Sequence, residues 1–308
     1  MNWQNAIEGY WLEKRKSVSK NTVADYNGTF RRFAEFHGDE LPPFEYIGAV
    51  HVRAYITHVK ESGNSDKSAL NAWVAFSSLW TWAEQELELP HIIRGRVARP
   101  KYKRPPIEPY SRSDVNAMLH TVGRAAAWTS KHGRHVEERR DTAIRDRAIL
   151  VVLFDTGVRA SELCGLRMSD YDQKTGRLFI NDGKGGKSRY VWLGEAARKA
   201  VWRYLAERTD SQPGDPLFAT RTNNALDRNN LRHMIESCAK RAGVTRANVH
   251  RFRHTFAINF LRNGGSVLEL QRLLGHERME TIRIYVTLAE SDLREAQRKA
   301  SPADNWDL

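Results

Sequence analysis

Hydrophobic residues recur at helical spacing throughout the first 92 residues. Intervals of three and four positions place such residues on one face of a helix. The three stripes are Val23, Tyr26, Phe30 and Phe33; Val52, Tyr55, Ile56 and Val59; and Leu70, Trp73, Val74, Ser77 and Trp80. Ser19 or Asn21 is a start signal for the first helix, and Gly38 is a stop signal. The pattern predicts a small helical domain over residues 1–92.

A basic segment without helical periodicity follows this domain. Residues 94–106 contain six basic residues, three prolines and no acidic residue. Proline and glycine disfavour a helix, and the like charges repel one another unless a polyanion lies beside them. Residues 93–108 are therefore predicted to be a basic linker that contacts DNA phosphates, through Arg94, Arg96, Arg99, Lys101, Lys103 and Arg104. The alternative is an ordinary solvated linker, although such linkers more often carry mixed charge.

From residue 109 to residue 308 the pattern is again mainly helical, with one β-hairpin. Residues 143–154 read as a largely apolar helix. Residues 177–180 and 189–193 are rich in β-branched and aromatic side chains, and the glycine-rich turn 183–187 lies between them. The expected fold class is mainly α with a small β-hairpin or sheet (α+β).

The overall charge indicates the kind of partner. A formal net charge of +12 favours a polyanion, either nucleic acid or an acidic membrane face, and solubility alone is the alternative. No apolar run approaches the roughly 20 residues that span a bilayer, and the N-terminus lacks the pattern of a secretory signal. Cys164 and Cys238 are too few for a disulfide framework or a zinc site and are expected in the core. We expect a cytoplasmic or nucleoid location.

Two arginines, two histidines and a tyrosine suggest phosphoryl transfer. Cleavage of a phosphodiester without a metal needs fixed cations around the non-bridging oxygens, and a guanidinium group can bind two oxygens at once. Histidine can donate to the same oxygens or exchange a proton near neutral pH. A tyrosine hydroxyl has a pKa of about 10 and needs cationic surroundings to attack. The five candidates are Arg159, His250, Arg253, His276 and Tyr285.

The spacing of these residues refines the hypothesis. His250 precedes Arg253 by three positions, which places both on one face of a helix. His276 follows a glycine at an expected helix start, and Tyr285 lies nine positions later. Lys184, between two glycines of the hairpin turn, is expected to protonate the leaving sugar hydroxyl.

Each candidate also has an ordinary structural explanation. A single arginine is usually a surface or capping residue, a single histidine a satisfied polar group, and a tyrosine in an apolar stretch part of the core. The glycine-rich turn lacks the serine or threonine of a nucleotide-binding loop and precedes a strand. It is the combination, in this order along the chain, that favours a catalytic site.

The combination resembles the tyrosine recombinase (phage integrase) family. The resemblance rests on the stretch Thr156–Leu163, the hairpin lysine, the box His250-Arg251-Phe252-Arg253-His254, the sequence Leu273-Leu274-Gly275-His276, and Tyr285. Phe252 stands where leucine is more frequent in the family. The resemblance implies that Arg159, Lys184, His250, Arg253, His276 and Tyr285 are catalytic. It also implies that Glu162 orients the active-site cations, and that neither a cofactor nor a metal is required.

The same resemblance implies an architecture and partners. The N-terminal helices look like the family's SAM-like core-binding domain, in a simple, Xer-like layout with two domains that clamp the duplex. Tyrosine attack would leave a 3′-phosphotyrosyl link, and four protomers would act on two double-stranded DNA sites. Residues 291–308 would dock on a neighbouring protomer, and accessory proteins or a second recombinase are further possible partners. Residues 124–140 look like an inserted loop, in which His132 and His135 are poor metal ligands.

Two alternatives stay open at this level. A type IB topoisomerase uses related chemistry but reseals the same strand. A non-catalytic DNA-binding protein of the same fold would have no need of Tyr285 or Lys184.

Overall fold

Two compact units follow one another along the chain, Met1–Pro105 and Pro106–Leu308. The computed structural model describes residues 1–103, 105–123, 128–129, 135–136, 141–181, 188–275, 280–289 and 301. At 128–129, 135–136 and 280–281 this description is limited to the backbone.

The first unit consists of α-helices joined by short turns. They are α1 (Trp3–Lys14), α2 (Lys20–His37), α3 (Ala49–Glu61) and α4 (Asp66–Glu86). Ser19 caps α2, because its side chain accepts a hydrogen bond from the Thr22 backbone, and Gly38 ends this helix with a positive φ of 53°. The start and stop expected for α2 are therefore confirmed.

The core of the first unit is aromatic, and it corrects the stripe expected on α4. Phe44 stacks on Trp80 with the ring centroids 5.3 Å apart. Val74, which the sequence pattern placed in the stripe, is 36% exposed. Trp80 is buried as expected, and the rest of the buried face comprises Ala69, Ala72, Ala75, Phe76, Leu79, Trp82 and Ala83. Alanines allow close helix packing but contribute weakly to a hydrophobic pattern, so the stripe was assigned the wrong phase.

The chain that follows α4 stays attached to the first unit for several residues. Ile93 and Val97 are buried in its core, and the Trp73 indole N–H donates to the Val97 carbonyl oxygen at 3.0 Å. The guanidinium carbon of Arg99 lies 5.6 Å from the centroid of the Trp73 ring, within cation–π range. The first part of the basic linker therefore packs against α4.

The second unit is mainly helical with a small sheet, so the expected fold class is confirmed. Its helices are α5 (Arg112–Thr121), α6 (Ala143–Thr156), α7 (Ala160–Gly165), α8 (Glu195–Leu205), α9 (Arg228–Arg241), α10 (Val249–Arg262), α11 (Val267–Leu274) and α12 (Glu280–Ala289). Its strands are β1 (Trp128–Thr129), β2 (His135–Val136), β3 (Tyr171–Asp172), β4 (Arg177–Ile180) and β5 (Arg189–Trp192). Strands β1 and β2 pair with each other.

Strands β3, β4 and β5 form an antiparallel sheet in that order, and β4 and β5 are the two arms of the expected hairpin. Leu178 on β4 pairs with Val191 on β5, and both are buried. Tyr190 points to the opposite, exposed face, as the two-residue period of a strand requires. Lys184 lies outside the described residues.

Tyr110 anchors the start of the second unit to α10. Its backbone N–H donates to Oγ1 of Thr255 at 2.8 Å, and its hydroxyl accepts a hydrogen bond from the Asn248 backbone at 3.0 Å. The Arg251 guanidinium carbon lies 4.2 Å from the centroid of the Tyr110 ring. These contacts fix the N-terminal end of α10, the helix that carries the His-x-x-Arg box.

Both cysteines occupy the apolar positions expected of them. Cys238 is buried, Cys164 is partly buried against the same core, and neither forms a disulfide. Within the described part of the chain, none of the helices has the length and apolar character needed to cross a membrane.

Candidate active site

The end of α6 positions the first candidate arginine. Gly157 ends this helix with a left-handed φ of 61°, and a Cβ at this position would lie 2.6 Å from Cδ1 of Phe256. Only glycine satisfies both the backbone angle and the close contact. The chain then turns, and Arg159 stands at the N-cap of α7, where its backbone N–H donates to Oε2 of Glu162 at 2.8 Å.

Glu162 joins two arginines. Nη1 of Arg159 donates to its Oε1 at 2.7 Å, while Nη1 and Nη2 of Arg189 donate to Oε1 and Oε2 at 2.9 and 2.8 Å. Burial alone would raise the pKa of Glu162, but the hydrogen bonds from Arg189 and from the Arg159 backbone outweigh it and lower the pKa to about 2. The carboxylate is therefore ionised near neutral pH.

Arg253 is the most enclosed of the candidates. It lies on α10, is 1% exposed, and donates to the carbonyl oxygens of Gly157 at 2.9 Å and of Leu274 at 2.6 Å. Burial, together with the positive charge of Arg159, lowers the pKa of Arg253 to about 10. The guanidinium group therefore stays protonated near neutral pH.

Two helix ends explain why buried arginines are tolerated here. The carbonyl groups of the last turn of a helix lack partners within the helix and carry partial negative charge. Arg253 uses carbonyls at the ends of α6 and α11, Arg189 donates to the Leu273 carbonyl at 2.6 Å, and Arg159 approaches that of Gly275 at 3.4 Å. The two helix ends thus compensate and orient the positive charges.

Gly275 is the C-terminal cap of α11. Its backbone has a left-handed φ of 64°, and the helix start expected after this glycine falls among residues 276–279, which the structure does not describe. The dipeptide Leu273-Leu274 belongs to the helix before it, and left-handed glycine is a common C-terminal cap. His276, the next residue, lies outside the described residues.

Tyr285 lies on α12 with its side chain in the core. It is 2% exposed, and its hydroxyl is 2.9 Å from Nδ1 of His254. The ring of His250, which is exposed, lies 4.4 Å from the ring of His254 in an edge-to-face arrangement. The sequence-based site contained His250 but assigned no role to His254. The available signal was their spacing of four on a helix that also carries Arg253.

The structure brings together Arg159, Glu162, Arg253, His250 and Tyr285. Lys184, His276 and Arg104 fall outside the described residues, and so does the insertion of 124–140 apart from the backbone of β1 and β2. The remaining linker cations belong to the first unit, where Arg96, Lys101 and Lys103 are exposed and Arg94 pairs with Glu84 at 3.2 Å.

Electrostatically, the site is suited to an anion. The guanidinium groups of Arg159, Arg189 and Arg253 carry more positive charge than the Glu162 carboxylate neutralises. A phosphate that replaces water here would interact with charges already held in place. Among the described residues, no cluster of three or more histidine, cysteine or carboxylate side chains has the arrangement of a metal site.

Comparison with known proteins gives consistent matches over nearly the whole chain. Residues 129–292 match the profile of the phage integrase family, and residues 7–86 match that of the phage integrase N-terminal SAM-like domain. The chain is 27% identical over 300 residues to the tyrosine recombinase XerC of Listeria welshimeri, which covers 95% of both proteins. It is 28% identical over 298 residues to the tyrosine recombinase XerD of Shewanella oneidensis, which covers 94% of both.

A solved structure shares the fold. The Tn1549 transposon integrase, determined in complex with a circular intermediate DNA, matches over 100% of both chains with a TM-score of 0.73. Because the sequence identity is 18%, this likeness concerns the fold alone.

Proposed function

This chain belongs to the phage integrase family and is a site-specific DNA recombinase that cleaves and rejoins DNA, and we propose that Tyr285 is its nucleophile. The observation that carries the proposal is the contact between the Tyr285 hydroxyl and Nδ1 of His254, next to Arg253 in the chain. A hydroxyl beside a proton acceptor and phosphate-binding cations is the arrangement that attack on a phosphodiester needs.

In the proposed reaction, the Tyr285 oxygen attacks the phosphorus of the scissile phosphodiester. A bond forms between this oxygen and phosphorus, and the bond between phosphorus and the 5′ oxygen of the next nucleotide breaks. His254 accepts the proton that the tyrosine loses, and Lys184 donates the proton that the leaving oxygen needs. The products are a 3′-phosphotyrosyl link and a free 5′-hydroxyl group.

Rejoining reverses the same chemistry on a different strand. The 5′-hydroxyl of the partner strand attacks the phosphotyrosyl link, and Tyr285 leaves with its oxygen restored. The energy of the original phosphodiester is conserved in the link, so the reaction is expected to need neither ATP nor a metal ion.

The cations act on the non-bridging oxygens of the phosphate. Arg159 and Arg253 approach from separate segments, and His250 and His276 are assigned hydrogen bonds to the same oxygens. Glu162 orients Arg159 through the two hydrogen bonds described above. Because Tyr285 is buried, its hydroxyl has to become accessible before attack.

We assign a separate role to each of three consecutive segments of the chain. Residues 1–92 form the core-binding domain, 93–108 the basic linker on the DNA backbone, and 109–308 the catalytic domain with its C-terminal tail. The exposed linker cations support the second assignment, because like charges next to one another favour a polyanionic partner.

Four protomers are proposed to act on two double-stranded sites. Exchange between two duplexes requires four strand cleavages, and each chain supplies one tyrosine. Residues 291–308 are assigned to contacts with a neighbouring protomer, and accessory proteins or a second recombinase would join the assembly. Because the substrate is DNA, we expect the enzyme to act in the cytoplasm, on the nucleoid.

The comparisons favour the recombinase over a topoisomerase or a non-catalytic DNA-binding protein. A trapping experiment tests the proposal for Tyr285. The protein is incubated in EDTA with nicked duplexes of randomised core sequence, from which a short cleaved strand diffuses away and leaves the covalent complex trapped. Denaturation in detergent and sequencing of the attached DNA then identify the preferred site.

We expect adducts enriched in one sequence from the wild-type chain, and none from Tyr285→Phe, which should still bind this site. Tyr190→Phe is the matched control, since Tyr190 lies on the exposed face of the sheet. An adduct with Tyr285→Phe would contradict the assignment. Adducts of unrestricted sequence would indicate a topoisomerase.

A further inference from the structure

Arg189 occupies a central place in the site, although it belongs to none of the sequence boxes. It is the first residue of β5, five positions after Lys184, and it follows the end of the hairpin turn. Its Nε donates to the carbonyl oxygen of Leu273, and its two Nη atoms donate to the two carboxylate oxygens of Glu162. One side chain thus links β5, α7 and the end of α11.

Local structure makes room for this side chain. The two-residue period of β5 directs Arg189 to the same face of the sheet as buried Val191, away from Tyr190. A Cβ at position 275 would lie 3.1 Å from Nη1 of Arg189, which is closer than ordinary contact. The glycine at the end of α11 therefore serves both the left-handed backbone and the packing of the guanidinium group.

The two arginines share Glu162 but differ in their exposure to solvent. Each carboxylate oxygen accepts one hydrogen bond from Arg159 and one from Arg189. The Arg159 side chain is 37% exposed, whereas those of Arg189 and Glu162 are 8% and 3% exposed. The exposed Arg159 can therefore reach a bound phosphate, whereas the buried Arg189 contacts the Glu162 carboxylate and not the phosphate.

Charge decides what Arg189 contributes. Without Arg189, the Glu162 carboxylate would pair with Arg159 alone, and the two opposite charges would largely cancel at the position of the phosphate. With Arg189 present, its guanidinium group neutralises the carboxylate, and the three side chains of Arg159, Glu162 and Arg189 together keep one positive charge. In a site with low solvent exposure this difference is weakly screened.

We propose that Arg189 is a positioning residue for DNA cleavage, which holds Glu162 and neutralises it so that the positive charge of Arg159 stays available to the scissile phosphate. The inference rests on the proposed function of this site. It assigns Arg189 no contact with DNA, and the proposed effect of Arg189 on cleavage passes through Glu162.

A double-mutant cycle tests this route. Single-turnover adduct formation is measured at saturating DNA, with the duplex identified by trapping, for wild type, Arg189→Met, Glu162→Gln and the double variant. We expect Arg189→Met to slow adduct formation by about 10-fold to 100-fold, by analogy with the loss found when the hydrogen-bond partner of a metal-ligating residue is removed. In the Glu162→Gln background, the same substitution should change the rate by less than about 3-fold, because no carboxylate remains to be neutralised.

A second readout separates charge from structure. In a methylphosphonate substrate, a methyl group replaces one charged non-bridging oxygen of the scissile phosphate, so the demand for positive charge falls. The defect of Arg189→Met should shrink on this substrate, whereas a defect from disturbed folding would persist. Arg177→Met is the matched control: the exposed Arg177 lies on the neighbouring strand, and its removal should leave the rate unchanged.

The outcomes distinguish the inference from its premise. If wild type forms no adduct, or Tyr285→Phe forms one, the proposed function fails. The inference alone is overturned if wild type forms a Tyr285-dependent adduct and Arg189→Met forms it at the same rate. It is also overturned if Arg189→Met slows adduct formation by the same factor with and without the Glu162 carboxylate. Should Arg189→Met not fold, Arg189→Lys replaces it in the cycle. The lysine cannot bridge both carboxylate oxygens in the same way. Arg189→Lys should therefore slow adduct formation several-fold when Glu162 is present, but leave the rate unchanged in the Glu162→Gln background.

Discussion

The hydroxyl oxygen of Tyr285 lies 2.9 Å from Nδ1 of His254 and so joins α12 to α10. Helix α10 carries His250, Arg253 and His254 within five consecutive residues. Arg253 is fixed by carbonyl groups at the ends of two other helices, so the position of His254 is fixed with it. The Tyr285 hydroxyl is therefore held beside a ring nitrogen of His254.

His254 is predicted to accept the tyrosine proton, so His254→Ala should slow adduct formation by roughly 10²-fold, the lower range for a general base. His254→Asn is the sharper test, because its amide group can retain a hydrogen bond to Tyr285 but cannot take up the proton. We expect both variants to be equally slow in single-turnover trapping. Full activity of the asparagine variant would show that His254 only positions the tyrosine. His233→Asn, on the exposed face of α9, is the control.

Arg159→Ala and Arg253→Ala should each reduce the cleavage rate by about 10² to 10³, the usual effect of removing one transition-state donor. Arg253→Lys should not restore the rate, because an ammonium group cannot reproduce the planar geometry that reaches both the Gly157 and Leu274 carbonyls. Adduct formation at saturating DNA provides the measurement, with the exposed Arg232→Lys as control. Wild-type activity in Arg253→Lys would exclude this geometric role.

Lys184 is predicted to protonate the leaving 5′ oxygen. Lys184→Ala should be inactive on an ordinary phosphodiester but active when sulfur replaces the bridging 5′ oxygen, because a thiolate leaves without a proton. Arg159→Ala should show no comparable rescue, since it acts on the non-bridging oxygens. Lys187, in the same turn, is the internal control. Rescue of Lys187→Ala instead would show that Lys187, and not Lys184, is the acid. If neither variant is rescued, His276 becomes the next candidate for the acid.

The basic linker is predicted to bind DNA phosphates. Replacement of Arg96, Lys101 and Lys103 by glutamate should weaken binding and reduce its salt dependence, by roughly 0.9 in the logarithmic slope for each phosphate that the linker no longer neutralises. The matched control reverses three exposed charges of the second unit, Lys174, Arg232 and Lys240. An unchanged slope in the linker variant would show that the linker does not bind phosphate.

The paired state of Glu162 predicts a pH dependence of stability. Its folded-state pKa of about 2 lies below the ordinary value of 4.5, so between these values the unfolded chain binds the proton first. Stability from this group is complete above about pH 4.5 and falls away as pH drops towards 2, a contribution on the order of 3 kcal/mol. Urea unfolding should show a steeper decline in wild type and in the exposed control Glu236→Gln than in Glu162→Gln. Identical pH profiles would contradict the ion-pair assignment.

Local signals in the sequence predicted much of the fold. The capping residue Ser19, the stop at Gly38 and the hairpin of β4 and β5 follow from short-range rules, and the structure confirms them. The phase of α4 was wrong because alanines hide a buried face. Gly275 ends α11, and the helix start expected after it falls among residues that the structure does not describe.

The site was harder to predict where it depends on tertiary contacts. Arg159, Glu162 and Arg253 could be selected by residue type and order along the chain. Arg189 could not, because it lies 27 positions from Glu162 and nothing in its own strand marks it. His254 was visible as a neighbour of Arg253, but its contact with Tyr285 arises from the packing of α12 against α10.

The hydrogen bond from Tyr110 to Thr255 has a consequence for how the second unit forms. It joins residues 145 positions apart, and closure of so long a loop must precede the packing that rewards it. Until α10 has been synthesised, α5 and α6 lack the helix against which the start of the unit is anchored. The hydrogen bonds that hold the start of this unit to α10 can therefore form only after residues 249–262 have been synthesised.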